Sequence, residues 1–95
     1  MAAIAMFCRA MAIEARRERI RVNCVTPSIV RGTPLYERLQ QDAFSSRLFG
    51  KAESLAGLGV ADADDVAQAI AFLLGPGADR ITGQTLSVNG GISAA

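Results

Sequence analysis

A loop with the chemistry of a ligand-binding segment follows residues 20–26 of this chain. Pro27 is predicted to end a strand because proline supplies no backbone donor, and Thr33 with Pro34 is the residue pair that opens a helix. Between them lie Ser28, Ile29 and Val30. Ligands of open parallel sheets bind beyond the carboxyl ends of the strands, so this loop is the candidate binding segment. A strand end followed by a helix cap that needs no ligand is the alternative that stays open.

An apolar stripe with one phenol follows the loop. Leu35, Tyr36 and Leu39 fall on one side of the helix that begins at Pro34, with Phe44 beyond them. Two interpretations stay open, namely packing against the core and covering a bound substrate. The pattern loosens after about residue 45, and residues 34–61 are predicted to be a lid or connecting segment.

Several kinds of catalytic site are excluded by residue type. The chain has no histidine, which argues against His-based triads and most metal sites, and Tyr36 is not followed by a lysine four residues later. Cys8 and Cys24 lack metal-type spacing and are predicted to be reduced core residues. The sequence therefore provides no catalytic residue and no metal site of its own.

The first predicted element is a helix over Met1–Ala15 that is apolar on nearly every side. It also lacks a capping residue at its start, so we expect upstream structure that covers it. Arg16, Arg17, Glu18 and Arg19 follow the helix. A solvated helix end is the favoured interpretation of this basic run, and phosphate binding is the secondary one.

The remaining elements predict an α/β fold. Alternating β-branched residues indicate a strand over Ile20–Thr26, and a second strand covers Thr85–Val88 before a turn at Asn89. Asp62 is predicted to cap a helix that Gly75 ends, with an apolar stripe on one face. The stripe consists of Val66, Ile70, Leu73 and Leu74. The order of elements predicts the C-terminal portion of a doubly wound parallel sheet that is incomplete by itself.

Size and charge limit the classes of partner. The chain has 95 residues and a net charge of +1, and residues 1–95 are predicted to form a single partial domain. Nearly balanced charge makes neither nucleic acid nor an anionic membrane an expected partner. A signal peptide and a membrane-length apolar run are both absent from the sequence. We therefore expect a soluble cytoplasmic protein.

Several short motifs resemble the second half of the short-chain dehydrogenase/reductase family. They begin with Ile20-Arg-Val-Asn and Pro27, continue through Asp65-Val-Ala, Phe72-Leu-Leu and Ile81-Thr-Gly-Gln, and end with Leu86-Ser-Val-Asn-Gly-Gly91. Two positions depart from the family pattern, because Ser28 stands where the family usually has glycine and Gly32 lengthens the loop.

The resemblance implies a Rossmann-like fold and an incomplete chain. The family's Gly-rich cofactor loop and Tyr-x-x-x-Lys pair precede the matching region, and the alignment puts Met1 at about the position of the lysine. We therefore expect a C-terminal fragment or a start codon assigned too late.

The resemblance also implies a cofactor, NAD or NADP, and hydride transfer to or from a small carbonyl or alcohol substrate. Pro27, Ser28, Ile29 and Val30 would lie along the nicotinamide, with Thr33 near the carboxamide or the pyrophosphate. Leu35, Tyr36 and Leu39 would contact substrate. The parent is expected to be a homo-oligomer, and this chain alone is expected to be inactive. The alternative hypothesis is a non-catalytic oligomerisation or interaction module built on the helix over Met1–Ala15.

Overall fold

The computed structural model describes residues 2–93, so Met1, where the first helix is predicted to start and where the family lysine aligns, lies outside the described part. The helices are α1 (Ala2–Ala15), α2 (Pro34–Gln41), α3 (Ala43–Glu53) and α4 (Ala63–Leu74). The strands are β1 (Cys24–Pro27), β2 (Val30–Arg31), β3 (Ala61–Asp62) and β4 (Thr85–Val88). Single turns of 3-10 helix occupy Arg16–Glu18 and Pro76–Ala78. The α/β fold class is confirmed.

The chain divides into two compact units. Among the described residues, the first contains residues 2–26 together with Ala67–Ser87, and the second contains Pro27–Val66 together with residues 88–93. Within residues 2–93, no helix combines the length and the hydropathy needed to cross a bilayer.

A two-stranded sheet of β1 and β4 organises the first unit. The Cys24 amide donates to the Gln84 carbonyl over 2.8 Å. Asn23 bonds the same segment through both ends of its side chain, because Oδ1 accepts from the Gln84 amide and Nδ2 donates to the Ile81 carbonyl, each over 3.0 Å. Asn23 is therefore a structural residue that joins the segment before β1 to the segment before β4.

The predicted strand over Ile20–Thr26 begins too early, since β1 starts at Cys24 and includes Pro27. The backbone before Cys24 bonds to a turn instead of a strand. The Val22 amide donates to Thr82 Oγ1 over 3.0 Å, and the Val22 carbonyl accepts from the Gly83 amide over 2.8 Å. The sequence alternation that predicted a strand from Ile20 cannot show whether the backbone bonds to a neighbouring strand or, as here, to the turn at Thr82 and Gly83.

The apolar faces of α1 remain largely uncovered. Met6 is 69% exposed and Phe7 is 65% exposed, and Ile4 and Ile13 are exposed as well. Ala12 is the buried residue of this helix among those that the structure describes. The buried apolar residues of the described chain are mostly small: Ala12, Cys24, Phe49, Ala56, Ala61, Leu73 and Ala78. A core of this size leaves much apolar surface in contact with water.

Two short parallel strands frame the second unit. Val30 of β2 pairs with Ala61 of β3, and Arg31 pairs with Asp62. The crossover between them contains α2 and α3. Neither β2 nor β3 was expected from the sequence, because strands of two residues carry no detectable alternation.

Side-chain caps explain where α3 and α4 begin. The segment over residues 34–61, which the sequence predicts as a lid or connecting segment, contains a second helix at Ala43–Glu53, where the apolar pattern of the sequence is loose. Asp42 caps α3, since its Oδ2 accepts from the Ser45 amide over 2.9 Å. The predicted cap of α4 is confirmed as a reciprocal pair, in which Asp62 Oδ1 accepts from the Asp65 amide and Asp65 Oδ2 accepts from the Asp62 amide.

Candidate functional site

A pocket of about 280 Å³ in the second unit brings together most of the predicted site residues. Its lining consists of Ser28, Ile29, Val30, Thr33, Leu35, Tyr36, Leu39 and Phe49. Pro27, the exposed last residue of β1, is not part of this lining. Phe49 was not among the predicted site residues, since the apolar pattern is loose in the part of the chain that forms α3.

Thr33 fixes the shape of the loop that forms one wall of the pocket. Its hydroxyl donates to the Val30 carbonyl over 2.9 Å and accepts from the Tyr36 amide over 3.1 Å. Gly32 precedes it with φ of 84°, a left-handed conformation that glycine adopts without steric cost. Gly32 is therefore the turn residue that brings Thr33 back toward Val30, and the predicted cap at Thr33 with Pro34 at the first helical position is confirmed.

Tyr36 connects the two helices beside the pocket. Its hydroxyl donates to Glu53 Oε1 over 2.9 Å, and its ring meets Phe49 edge to face with the centroids 5.0 Å apart and the planes at 83°. The phenolic proton is therefore engaged by a carboxylate of α3. Since the aromatic pair also lines the pocket, helix packing and pocket formation are served by the same side chains.

The pocket lining has no side chain that is charged at neutral pH. Tyr36 is the one ionisable residue in its lining, and the other polar side chains there are the hydroxyls of Ser28 and Thr33. Pockets that enclose a whole small-molecule ligand measure roughly 300–1,000 Å³. A pocket of about 280 Å³ with apolar walls thus suits one flat ring with a polar substituent better than a charged or extended ligand.

The sequence as a whole matches one known family. The profile described as enoyl-(acyl carrier protein) reductase covers residues 1–93. The chain belongs to the short-chain dehydrogenase/reductase family. A tropinone reductase homolog of Arabidopsis thaliana is 34% identical over 91 residues, which make up 96% of this chain and 33% of the relative.

Solved structures give the same assignment. A short-chain dehydrogenase/reductase of Brucella melitensis, described as glucose/ribitol dehydrogenase, matches with a TM-score of 0.83 and 33% identity over 99% of this chain and 36% of its own. A 4-hydroxyisoleucine dehydrogenase complexed with NADH matches with a TM-score of 0.82 and 26% identity over 99% of this chain and 37% of its own. The chain therefore spans about a third of the length of these family members.

Family membership confirms the Rossmann-like fold class.

The two departures from the family pattern lie in or beside the pocket, since Ser28 lines it and Gly32 forms the turn before Thr33. A Cβ built on Gly32 would meet no atom within 4 Å, so its glycine is explained by backbone conformation alone.

The two thiols lie in the first unit. Cys24 is 7% exposed and Cys8 is partly buried, and both are free. Burial raises the pKa of the Cys24 thiol, and the adjacent Cys8 thiol, which also shares a hydrogen bond with it, raises the pKa further. Within residues 2–93, no group of three or more histidine, cysteine or acidic side chains is arranged to hold a metal ion.

Proposed function

We propose that this chain forms the nicotinamide-binding and substrate-covering part of an NAD(P)-dependent oxidoreductase. The reaction would be hydride transfer between the cofactor and a small carbonyl or alcohol substrate. The observation that carries the proposal is the convergence of the loop residues Ser28, Ile29, Val30 and Thr33 with Leu35, Tyr36 and Leu39 around one pocket. NADH in the related 4-hydroxyisoleucine dehydrogenase supports the choice of cofactor.

The hydrogen bonds of Thr33 favour one of the two cofactor groups that it could contact. A threonine hydroxyl has one proton and two lone pairs. The proton goes to the Val30 carbonyl and one lone pair accepts from the Tyr36 amide. One lone pair is left. It can accept a hydrogen bond from the amino group of a carboxamide, but it cannot bond to a pyrophosphate, whose oxygens are themselves acceptors. Thr33 is therefore proposed to orient the nicotinamide carboxamide.

The pocket lining suits an apolar ring. Leu35 is 64% exposed, whereas Phe49 is buried, and both side chains line the pocket. When bound, the cofactor supplies the hydride-transfer chemistry, and the residues of this chain would hold its ring and exclude water from one side of it. A proton donor for the substrate oxygen is proposed to come from the Tyr-x-x-x-Lys pair of the family, which this sequence does not contain. Because the proton donor would come from outside these 95 residues, we propose that the chain is inactive by itself. We also propose that the protein is cytoplasmic.

Nicotinamide riboside tests the proposal, because it carries the nicotinamide group without any phosphate. Titration monitored by amide NMR is expected to shift the resonances of Ile29, Val30 and Thr33, and adenosine is expected to leave them unchanged. Thr33→Ser, which keeps the hydroxyl, should retain binding, whereas Thr33→Val should weaken it about tenfold through the lost hydrogen bond. Equal shifts with adenosine, or unchanged binding by Thr33→Val, would contradict the assignment of the pocket.

An oligomerisation or interaction module is the second candidate, and the exposure of α1 favours it. Met6 and Phe7, together with Ile4 and Ile13, present apolar surface to water in the single chain. A second copy of this chain would cover such a face in a homo-oligomer. Sedimentation of the wild type and of Phe7→Glu is the test, and a monomeric wild type at micromolar concentration would eliminate this candidate.

A further inference from the structure

A cavity of about 590 Å³ in the first unit collects positive charge from distant parts of the sequence. Four arginines line it. Arg16 and Arg19 belong to the turn after α1, Arg21 follows shortly after them in the sequence, and Arg80 lies near the other end of the chain. Asp79 is the one acidic residue of the lining, and Ile20, Ile81 and Thr82 complete it. Four of the ten basic residues of a nearly neutral chain thus face one cavity, with a formal charge of +3.

The guanidinium groups keep most of their hydrogen-bonding capacity for a ligand. Arg21 Nη1 donates to the Leu73 carbonyl over 2.6 Å, and Arg80 Nη1 makes a long bond of 3.5 Å to the Asp79 carbonyl. Both partners are backbone groups, so neither bond neutralises charge. An arginine has five N–H donors, and within residues 2–93 no carboxylate forms an ion pair with these four.

Thr82 adds an uncharged donor to the same wall. Its Oγ1 accepts from the Val22 amide over 3.0 Å, and this bond uses a lone pair and leaves the hydroxyl proton available. Arg21 is held in place by Leu73, and Thr82 is held by Val22, so two donors are fixed before any ligand arrives. Fixed donors lose little freedom on binding.

Arg19 occupies a backbone conformation that glycine would adopt more easily. Its φ of 61° lies in the left-handed region, and its amide donates to the Arg16 carbonyl over 3.1 Å as the end of the 3-10 turn. A side chain at such a position is unfavourable for L-residues other than glycine and asparagine. The chain therefore retains a guanidinium group beside the cavity in spite of the local backbone cost.

We propose that this cavity binds a soluble phosphate-bearing anion through Arg16, Arg19, Arg21, Arg80 and Thr82. Guanidinium groups bind phosphate oxygens through paired N–H donors, and a +3 cavity with an added hydroxyl donor suits a multiply charged anion. The lining contains no aromatic side chain to hold a base, so recognition is directed to the phosphate groups. Concave shape favours a free anion over the headgroups of a membrane surface.

Pyrophosphate is the probe, and calorimetric titration of the 95-residue chain is the measurement. We expect binding that weakens as salt rises, because the interaction is between charges. Arg80→Gln and Arg16→Gln should each weaken pyrophosphate binding about tenfold, since each removes a charge-assisted hydrogen bond. Arg17→Gln is the matched control, because Arg17 belongs to the same turn as Arg16 but does not line the cavity, and it should change the affinity less than about twofold.

Two further variants separate binding from folding. Arg19→Gly removes a cation and relieves the left-handed backbone, so it should weaken pyrophosphate binding while leaving the helical circular dichroism intact or stronger. Asp79→Asn removes the one carboxylate of the lining and should tighten binding about twofold to threefold. Equal losses for Arg17→Gln and Arg80→Gln, or unchanged affinity in Arg19→Gly and Asp79→Asn, would overturn the proposal. Capture by phosphatidic acid vesicles without binding of free pyrophosphate would overturn it as well. Nicotinamide riboside carries no phosphate, so this result is independent of the test of the nicotinamide pocket.

Discussion

The hydroxyl of Tyr36 donates to Glu53 Oε1 over 2.9 Å and thereby ties the start of α2 to the end of α3. The Tyr36 ring also packs edge to face on Phe49, which is buried. One side chain thus joins the two helices of the segment that was predicted to be a lid, and it forms part of the pocket wall at the same time. The hydrogen bond and the ring contact together hold α2 and α3 to each other.

Tyr36→Phe removes the hydrogen bond to Glu53 and keeps the ring on Phe49. We expect it to destabilise the second unit by about 0.5–1.5 kcal/mol. Tyr36→Ala also removes the aromatic contact and buried ring, so its cost should be larger, about 3 kcal/mol. Amide hydrogen exchange in α2 and α3 measures both effects. Equal protection losses in the two variants would mean that the ring contributes nothing beyond the hydroxyl.

Local chemistry made some elements predictable from the sequence. The caps at Thr33 and Asp62 each bond an amide three positions later in the chain, at Tyr36 and at Asp65. Both partners of each bond are therefore close together in the sequence. The strand Thr85–Val88 has the predicted bounds. The loop and stripe residues of the pocket were also predicted, because they follow one another directly in the chain, whereas Pro27 was predicted with them and does not line the pocket.

Features that depend on distant partners were not predictable in the same way. The strands β2 and β3 exist through pairing between Val30 and Ala61, which no local pattern indicates. Phe49 enters the pocket through α3, where Gly50 and two serines obscure the helical pattern. The arginine cavity needs Arg80 next to Arg16, 64 positions apart in the sequence, and the basic run alone was interpreted as a solvated helix end.

The cap of α3 predicts a pH dependence of that helix. The Ser45 amide, with a smaller contribution from the Ser45 side chain, holds the pKa of Asp42 below its usual value by bonding to the ionised carboxylate. A depressed pKa in the folded state stabilises the helix above the ordinary pKa of aspartate, and this stabilisation is lost as the pH falls through the lowered value. Circular dichroism from neutral to acidic pH should show α3 weakening in the wild type. Asp42→Asn caps without a charge, and it should remove this component of the pH dependence. An identical acid profile in both chains would contradict the assignment.

Gly90 is predicted to reject any side chain. Its φ is 65°, and a Cβ built on it would overlap the Gly59 carbonyl oxygen. The Gly90 carbonyl also accepts from the Leu58 amide over 2.9 Å. Gly90→Ala should therefore destabilise the second unit by roughly 2–4 kcal/mol and accelerate exchange of the Leu58 amide. Gly57→Ala is the matched control, because a Cβ there meets no atom within 4 Å, and its effect should stay within about 1 kcal/mol. Comparable losses from both substitutions would show that the overlap at Gly59 relaxes freely.

The thiols of Cys8 and Cys24 should react at different rates. Burial is the main cause of the raised pKa of Cys24, and the Cys8 thiol beside it raises the pKa further, so little thiolate forms there at neutral pH. We expect iodoacetamide to alkylate partly buried Cys8 at least about tenfold faster than Cys24, and urea to remove the difference. The raised pKa stabilises the folded state fully below the ordinary thiol pKa, and this contribution is lost as the pH rises through the raised value. Mass spectrometry of the labelled peptides reports both sites. Cys8→Ser leaves Cys24 as the single thiol and isolates its rate, and fast labelling of Cys24 in that folded variant would show that β1 opens more readily than its burial implies.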